Sequence, residues 1–335
     1  MRPAFSAAAL TNRSTVPIKL RVIDDGGLVD EGSTNISVSL FSDPMLSNGE
    51  LRIVGTIAAD IITMGIAASP AVLTVEVNGE IFQFAVADVT SYFIDGGSGD
   101  DSLRISEHVV VRGELRGGPE NDTLIGGGGN EGIYGGDGND YLSGGPGDDV
   151  VYGEAGDHTL LSSRGRDVLR PGLGNSSFQL GAFASSLQSL SIEAAIAPKR
   201  SRNRNGGASS SILSGRIIVS MDRTFSGSVD LRVNGTGTGS VVGHPCTAEY
   251  WVSGPGSVRR LKYRVDLDGN VLVSCSTIGN PGGGSFSGFV AGSISLEKGL
   301  LSTKGAVDVS FGGRSHARSS IAGTASITEL IADVS

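Results

Sequence analysis

An apolar residue returns every nine positions through the middle of the chain. From Gly117 the sequence divides without a gap into seven nine-residue segments, and an earlier copy begins at Gly96. The eighth position is apolar in every copy: Leu103, Leu124, Ile133, Leu142, Val151, Leu160, Leu169 and Phe178. A fixed period with a fixed apolar position predicts a solenoid in which each short strand turns one side chain into a narrow core.

Glycine recurs in the turn of the repeat. Position four is glycine in every copy except at Glu120. Glycine suits a turn that needs positive φ and a close approach of two backbones. Six residues of each copy therefore form a turn and three form a strand. Two copies complete one coil, and successive coils stack about 4.8 Å apart.

Position six is the chemically distinctive position. Its residues are Asp101, Asp122, Glu131, Asp140, Asp149, His158, Asp167 and Ser176. Copies two apart share an edge, so these acids form two stacks that repel unless a cation lies between them. No Lys or Arg occurs between Arg116 and Arg164 to neutralise them. Ligation by oxygen alone, from carboxylates and turn carbonyls, is what Ca²⁺ prefers.

Residues 96–180 resemble the RTX, or hemolysin-type, calcium-binding repeat, whose pattern is G-G-x-G-x-D-x-(apolar)-x. The resemblance implies a parallel β-roll that binds one Ca²⁺ between adjacent turns of the same edge. It implies about three or four ions. The candidate ligands are Asp101, Asp122, Glu131, Asp140, Asp149 and Asp167, with the turn residues Gly97, Gly99, Gly118, Gly136, Gly138, Gly145 and Gly147.

The pairing of acids along each edge predicts individual sites. These are Asp101/Asp122, Asp122/Asp140, Glu131/Asp149 and Asp149/Asp167. Three departures weaken parts of the scheme. Glu131 is longer than Asp, and His158 replaces a carboxylate. Arg164 and Arg166 bring positive charge to the turn that holds Asp167. We therefore expect calcium to be densest from Gly96 to Asp149, with the chain from Gly153 onward decaying into a cap.

The chain before the roll alternates in the manner of strands. Residues 1–14 are expected to be a flexible terminus, and residues 15–95 a β-rich lead-in that packs on the roll. Val77-Asn78-Gly79-Glu80 predicts a hairpin. The segment 55–63 fits either a degenerate repeat or a plain pair of strands.

The chain after the roll falls into two parts. Residues 181–213 are expected to form a helix over Ala182–Ile196 followed by a basic, Gly/Ser-containing linker. Residues 214–335 predict a separate antiparallel β-sandwich or barrel, with a hairpin at Asp268-Gly269. Cys246 and Cys275 lie on neighbouring predicted strands, and a disulfide and a free buried pair are both open. Apart from that short helix, the expected fold class is all-β: a parallel β-roll with a β lead-in domain and a separate C-terminal β-sandwich or barrel.

Composition and motif searches narrow the function. The formal net charge is -9, which disfavours nucleic acid as a partner and favours cations. No apolar run reaches the roughly eighteen residues of a membrane helix. Neither H-E-x-x-H nor G-x-S-x-G occurs, so we expect no catalytic activity.

The leading hypothesis is an extracellular bacterial protein, secreted or at the cell surface, that serves as a structural scaffold and whose roll folds on binding calcium. A cell-surface or matrix component would be its partner. The alternative is a secreted enzyme or carbohydrate-binding protein, in which residues 214–335 carry the activity and the roll is accessory.

Overall fold

The computed structural model describes residues 13–23, 29–39, 42–68, 71–181, 186–196, 211–241, 244–275, 282–311 and 315–334. Within these ranges the regular structure is β-strand, apart from 3-10 conformation at Val86–Asp88 and at Ser186. The prediction of an all-β fold is confirmed.

Seven strands precede the first clear repeat: β1 (Arg13–Ile23), β2 (Val29–Ser39), β3 (Met45–Ser47), β4 (Glu50–Thr56), β5 (Ile61–Ala68), β6 (Ala71–Val77) and β7 (Glu80–Ala85). Ten short strands follow: β8 (Ser91–Gly97), β9 (Ser102–Ile105), β10 (Arg112–Pro119), β11 (Thr123–Ile125), β12 (Glu131–Asp137), β13 (Tyr141–Ser143), β14 (Val150–Ala155), β15 (Thr159–Ser162), β16 (Gly165–Arg170) and β17 (Ser177–Leu180).

The middle of the chain is a parallel β-roll, as predicted. Its first sheet runs β4-β8-β10-β12-β14-β16, and its second sheet runs β5-β9-β11-β13-β15-β17. Leu124 is in register with Leu142, and Ile133 is in register with Val151, so each coil contains two repeats. The eight position-eight side chains are all buried and form a single-file core between the sheets.

The roll begins one coil before the clearest repeats. Strands β4 and β5 pair in parallel with β8 and β9, which brings Ile53 beside Ile94 and Ile62 beside Leu103. The segment 55–63 is therefore a degenerate repeat rather than an isolated strand pair. Strands β6 and β7 continue the second sheet as a hairpin, with Asn78 and Gly79 at φ 52° and 87°, which confirms the predicted turn.

Three extra residues enter the roll between β9 and β10. Leu103 pairs with Leu124, 21 residues away, whereas Leu124 pairs with Leu142, 18 residues away. The additional residues bulge at the turn that returns from the second sheet to the first. The turns on the opposite edge therefore follow one another without interruption.

Eight longer strands follow the roll: β18 (Leu187–Ile196), β19 (Ser211–Asp222), β20 (Ser226–Val241), β21 (His244–Arg259), β22 (Lys262–Cys275), β23 (Gly282–Ser295), β24 (Leu300–Phe311) and β25 (Ser315–Val334). Each is antiparallel to the next, and β18 also pairs with β25. This closure makes a barrel, which decides between the two predicted architectures. Ile192, Val219, Val265 and Leu301 belong to its buried interior.

Two local predictions in this part of the chain are wrong. The predicted helix Ala182–Ile196 is a strand over Leu187–Ile196. Leu190, Ile192 and Ala194 are buried at a period of two, which closes the barrel. The Asp268-Gly269 pair lies inside β22, where pairing with β21 and β23 on both sides overrides the local turn signal.

The structure turns at Arg260-Leu261 instead, and both residues there have positive φ. Cys246 stands directly opposite Cys275 in the register of β21 and β22. Their placement on neighbouring strands is confirmed, and the disulfide and the free pair both stay hypotheses.

The barrel is joined to the roll by continuous strand pairing. Strand β25 pairs antiparallel with β16, so Leu330 lies beside Leu169. The amide of Phe178 donates to the Leu296 carbonyl at 2.8 Å. Arg170 forms an ion pair with Glu329, 2.9 Å from Nε to Oε2. The last copies remain full coils instead of decaying into a cap, because barrel strands cover this end of the roll.

The outer face of the first sheet carries a row of arginine side chains and aromatic rings. Phe93 lies between the guanidinium groups of Arg52, 4.2 Å from its centroid, and Arg116, at 5.4 Å. Further along, the rings of Tyr134 and Tyr152 stack 4.9 Å apart. Neighbouring side chains of this row belong to successive coils, so the cation–π and stacking contacts link the coils on the outer face of the sheet.

Candidate metal-binding edges of the roll

The turns of the roll form two edges. The first edge contains the turns that run from the first sheet to the second, and the second edge contains the turns that return. Position six of the first edge is occupied by Asp60, Asp101, Asp122, Asp140, His158 and Ser176. Position six of the second edge is occupied by Tyr92, Gly113, Glu131, Asp149 and Asp167. All of these residues except Gly113 are buried.

One carboxylate oxygen of each of four aspartates, Asp101, Asp122, Asp140 and Asp149, belongs to a hydrogen-bond ladder between coils. The amide of Asp101 donates to Asp122 Oδ1, and the amide of Asp122 donates to Asp140 Oδ1, both at 2.8 Å. On the second edge the amide of Glu131 donates to Asp149 Oδ1 at 2.8 Å. Each rung fixes an acidic side chain inside the turn, against the backbone of the coil before it.

The second oxygen of each of these aspartates, and both side-chain oxygens of Glu131, have no hydrogen-bond partner among the described residues. These buried atoms are Oδ2 of Asp101, Asp122, Asp140 and Asp149, and both Oε1 and Oε2 of Glu131. A buried anionic oxygen without a partner is costly, and native proteins rarely leave one. Columns of such atoms fit a bound cation.

Main-chain carbonyl groups complete an all-oxygen environment. A Cβ added to Gly117 would collide with both Asp122 Oδ2 and the Gly135 carbonyl oxygen. A Cβ added to Gly135 would meet Asp140 Oδ2 and lie 2.8 Å from the Gly153 carbonyl oxygen. Over the described ranges, no three His, Cys, Asp or Glu side chains converge. A calcium ion would therefore take its remaining ligands from carbonyls.

The predicted turn glycines all adopt a left-handed backbone. Their φ values lie between 85° and 142° at Gly97, Gly99, Gly118, Gly136, Gly138, Gly145 and Gly147. A Cβ at Gly118 would overlap the Gly97 carbonyl oxygen, and one at Gly138 would overlap that of Glu120. These glycines allow the coils to stack and align carbonyls along each edge. Ligation by them stays a prediction.

Burial makes the acids unusually basic. Burial, with a smaller contribution from neighbouring carboxylates, raises the pKa of Asp101 and of Asp122 to about 7. Burial likewise raises the pKa of Glu131 to about 8 and that of Asp149 to about 7. In the absence of a cation these edges would be partly protonated near neutral pH.

Two further buried acids, Asp167 on the second edge and Asp60 on the first, accept hydrogen bonds from protein atoms at both carboxylate oxygens. Asp167 Oδ2 accepts from Ser162 Oγ at 3.0 Å and from the Ser163 amide at 2.8 Å. At the start of the first edge, Asp60 Oδ2 accepts from the Thr56 amide at 2.6 Å, and Asp60 Oδ1 accepts from Asn78 Nδ2. Neither acid leaves an oxygen for a metal.

The physical reason for discounting Asp167 differs from the predicted one. Arg164 and Arg166 are exposed, so their charges do not occupy the ion position. The serines that replace the first two glycines of that repeat supply the neutral donors described above.

His158 takes the place of a carboxylate and contacts the acid before it. The amide of Asp140 donates to His158 Nδ1 at 3.3 Å, and the same nitrogen lies 3.1 Å from Asp140 Oδ2. The imidazole thus occupies the gap in which the next ion of the first edge would lie.

Position five forms a second ladder that the sequence reading missed. Each side-chain oxygen accepts a hydrogen bond from the position-five amide of the following coil. In the position-six ladder the donor amide instead belongs to the preceding coil. The distances run from 2.7 to 3.1 Å, with acceptors Asp100, Asn121, Asn130, Asn139, Asp148 and Asp157. The signal was available, because position five is Asp or Asn in seven of the eight copies.

Comparison with known proteins agrees with this geometry. Residues 114–142 and 134–169 match the family model of the RTX calcium-binding nonapeptide repeat. No curated protein and no solved structure matches the chain. The matched stretch is a set of RTX calcium-binding repeats, which confirms the resemblance and supports calcium binding. No helix within the described residues is long and apolar enough to cross a membrane.

Proposed function

We propose that this protein is an extracellular calcium-binding scaffold whose roll becomes fully stable only when Ca²⁺ occupies its two edges. The observation that carries the proposal is the set of buried carboxylate oxygens without partners, on Asp101, Asp122, Glu131, Asp140 and Asp149. Five anionic groups cannot remain buried together without either protons or cations.

The same atoms support a proposal for where the ions bind. Each site takes two successive acids that both have an oxygen without a partner. This rule gives Asp101/Asp122 and Asp122/Asp140 on the first edge and Glu131/Asp149 on the second. The pair Asp149/Asp167 is left out because Asp167 is satisfied by serine donors. We therefore propose three ions, the lower of the two numbers that the sequence suggested.

Metal binding would be coupled to folding of the roll. An unfolded chain cannot hold acids from coils 18 or 21 residues apart in one site, so binding energy becomes folding energy. A ligand at 100 times its dissociation constant stabilises the folded state by about 2.7 kcal/mol per independent site. Three sites would add a large fraction of the stability of a typical domain.

Localisation follows from calcium availability. Extracellular calcium modules commonly have dissociation constants of about 10⁻⁴ to 10⁻³ M, which only calcium-rich surroundings satisfy. RTX repeats are typical of extracellular bacterial proteins. We propose secretion or display at the cell surface, where a surface or matrix component would be the partner.

A scaffold role is supported by the way the roll is built into its neighbours. Strand β25 pairs with β16 of the roll on one side and with β18 of the barrel on the other. At the opposite end, β5 of the first coil continues into the β6–β7 hairpin. Calcium that stiffens the roll would hold these end structures at a fixed separation. The proposal assigns no catalytic step.

Circular dichroism and thermal unfolding of the full chain test the proposal. The full chain is needed because the first coil and the barrel strands cover the two ends of the roll. We expect added Ca²⁺ to raise the unfolding temperature and to increase the β signal of about a quarter of the residues, whereas equal Mg²⁺ does far less. Identical unfolding in Ca²⁺ and in chelator would overturn the proposal.

A further inference from the structure

A tyrosine stands at the start of the second-edge column. In the register of the first sheet, Tyr92 lies beside Gly113, and Gly113 lies beside Glu131. Gly113 therefore occupies the level at which the following coils carry Glu131 and Asp149. The coil that contains the three-residue bulge has no acid at position six of this edge.

The missing side chain leaves room for the ring of Tyr92. A Cβ added to Gly113 would overlap three carbon atoms of that ring. The ring thus lies across Gly113 and directs its hydroxyl toward the next coil. Tyr92 is only 2% exposed, and no hydrogen-bond partner for its hydroxyl is found in the described part of the chain.

Glu131 lacks the hydrogen bond from a main-chain amide of the preceding coil that Asp101, Asp122, Asp140 and Asp149 accept. Asp122 accepts the amide of the position-six residue one coil earlier, but the corresponding amide, that of Gly113, donates to the Asn130 carbonyl at 3.4 Å. Both Glu131 oxygens are consequently without a hydrogen bond from any described residue, although the side chain is 3% exposed.

The two groups are close enough to influence each other. A tyrosine phenol keeps its proton near neutral pH, so the Tyr92 hydroxyl is available as a hydrogen-bond donor. The Tyr92 phenol and the Glu131 carboxylate lie within interaction range of each other, although no hydrogen bond joins them in this structure.

We propose that Tyr92 is a positioning residue for the calcium ion between Glu131 and Asp149. Its hydroxyl donates to one Glu131 oxygen, replacing the missing amide rung, and leaves the second oxygen facing Asp149. Glutamate rather than aspartate stands at this position because the longer side chain meets the phenol. The ion column of the second edge therefore begins at Glu131. This inference rests on the proposed calcium-binding function.

The test is calorimetric titration of the full chain with Ca²⁺, comparing the native chain with Tyr92→Phe. Phenylalanine keeps the ring over Gly113 and removes only the hydroxyl. We expect one of three ions to bind at least about tenfold more weakly, with the other two unchanged. Glu131→Asp, which shortens the reach to the phenol, should weaken the same ion. Tyr134→Phe, on the outer face of the sheet, is the matched control and should change none.

A double variant separates positioning from general packing. If the hydroxyl acts through Glu131, Tyr92→Phe should add no further loss of calcium binding to a chain already carrying Glu131→Gln. Equal affinities for all three ions in Tyr92→Phe and the native chain would overturn the inference while leaving the proposed function intact. A native chain that binds no Ca²⁺ would instead overturn the proposed function.

Discussion

The amide of Asp122 donates to Oδ1 of Asp140, 2.8 Å away in the following coil, while Oδ2 of Asp140 is buried without a hydrogen bond from the described residues. The first contact fixes the carboxylate by a bond that needs no metal. The second atom accepts no hydrogen bond and lies 3.1 Å from Nδ1 of His158. This division of one side chain between a structural bond and an open ligand position recurs at Asp101, Asp122 and Asp149.

Asp122 is shared by two proposed ions, so its charge should matter more than any other. In Asp122→Asn the side-chain oxygen can still accept the Asp101 amide, but the negative charge is gone. We expect the calcium stoichiometry to fall from about three to about one in calorimetric titrations. Asp167→Asn is the matched control, because Asp167 already accepts from Ser162 and Ser163. Three ions in Asp122→Asn would contradict the assignment.

His158 should be convertible into a calcium ligand. Its imidazole lies 3.1 Å from Asp140 Oδ2 and fills the next gap of the first edge. His158→Asp would restore the repeat pattern and place two carboxylates across that gap. We expect one additional ion by calorimetry and a larger rise in unfolding temperature on adding Ca²⁺. An unchanged stoichiometry would show that the histidine is not what keeps the gap from binding calcium.

The metal-free protein should become more stable as the pH falls from about 8 to 5. The folded pKa values of Asp101, Asp122 and Asp149 are about 7 and that of Glu131 is about 8, all above the unfolded values near 4. The folded state therefore binds more protons than the unfolded state across this range. Stability should rise by roughly 1.4 kcal/mol per pH unit for each proton taken up.

Saturating calcium should reverse this trend, because protons and Ca²⁺ compete for the same oxygens. Thermal unfolding at pH 5, 6, 7 and 8 in chelator and in Ca²⁺ checks both statements. Parallel pH profiles under the two conditions would contradict the assignment of these acids as ligands.

Backbone strain offers a prediction that is independent of metal. Glu154 occupies position two of its repeat with φ 76°, and its side chain is exposed. Glu154→Gly should stabilise the protein by about 0.5–1 kcal/mol. Glu120, at φ 79°, makes a useful comparison, because its carboxylate accepts the Gly99 amide at 2.9 Å. Glu120→Gly should gain less, and equal gains in denaturant unfolding would refute this reasoning.

Local regularity explains what the sequence could predict. The position-eight ladder, the assignment of acids to two edges and the bulge between β9 and β10 all follow from counting residues in units of nine. The position-five ladder could have been found by the same count, since its Asp and Asn residues recur as regularly as the acids.

Long-range geometry explains what the sequence could not predict. Closure of the barrel pairs Leu190 with Ala332, far apart in the chain, and no local signal specifies that contact. The predicted helix Ala182–Ile196 is wrong over Leu187–Ile196 because apolar spacing fits both the helical and the strand period over so short a stretch. The meeting of Tyr92 with Glu131 depends on a bulge, a glycine and a strand register acting together.

The account depends most directly on the number of calcium ions that bind. Isothermal titration of the full, calcium-stripped chain at pH 7.5 measures that number without any variant. We expect about three Ca²⁺ per chain, with protons released on binding because the acids are partly protonated beforehand. A titration with no calcium-dependent heat and no change in unfolding temperature would contradict the central claim that these edges are calcium sites.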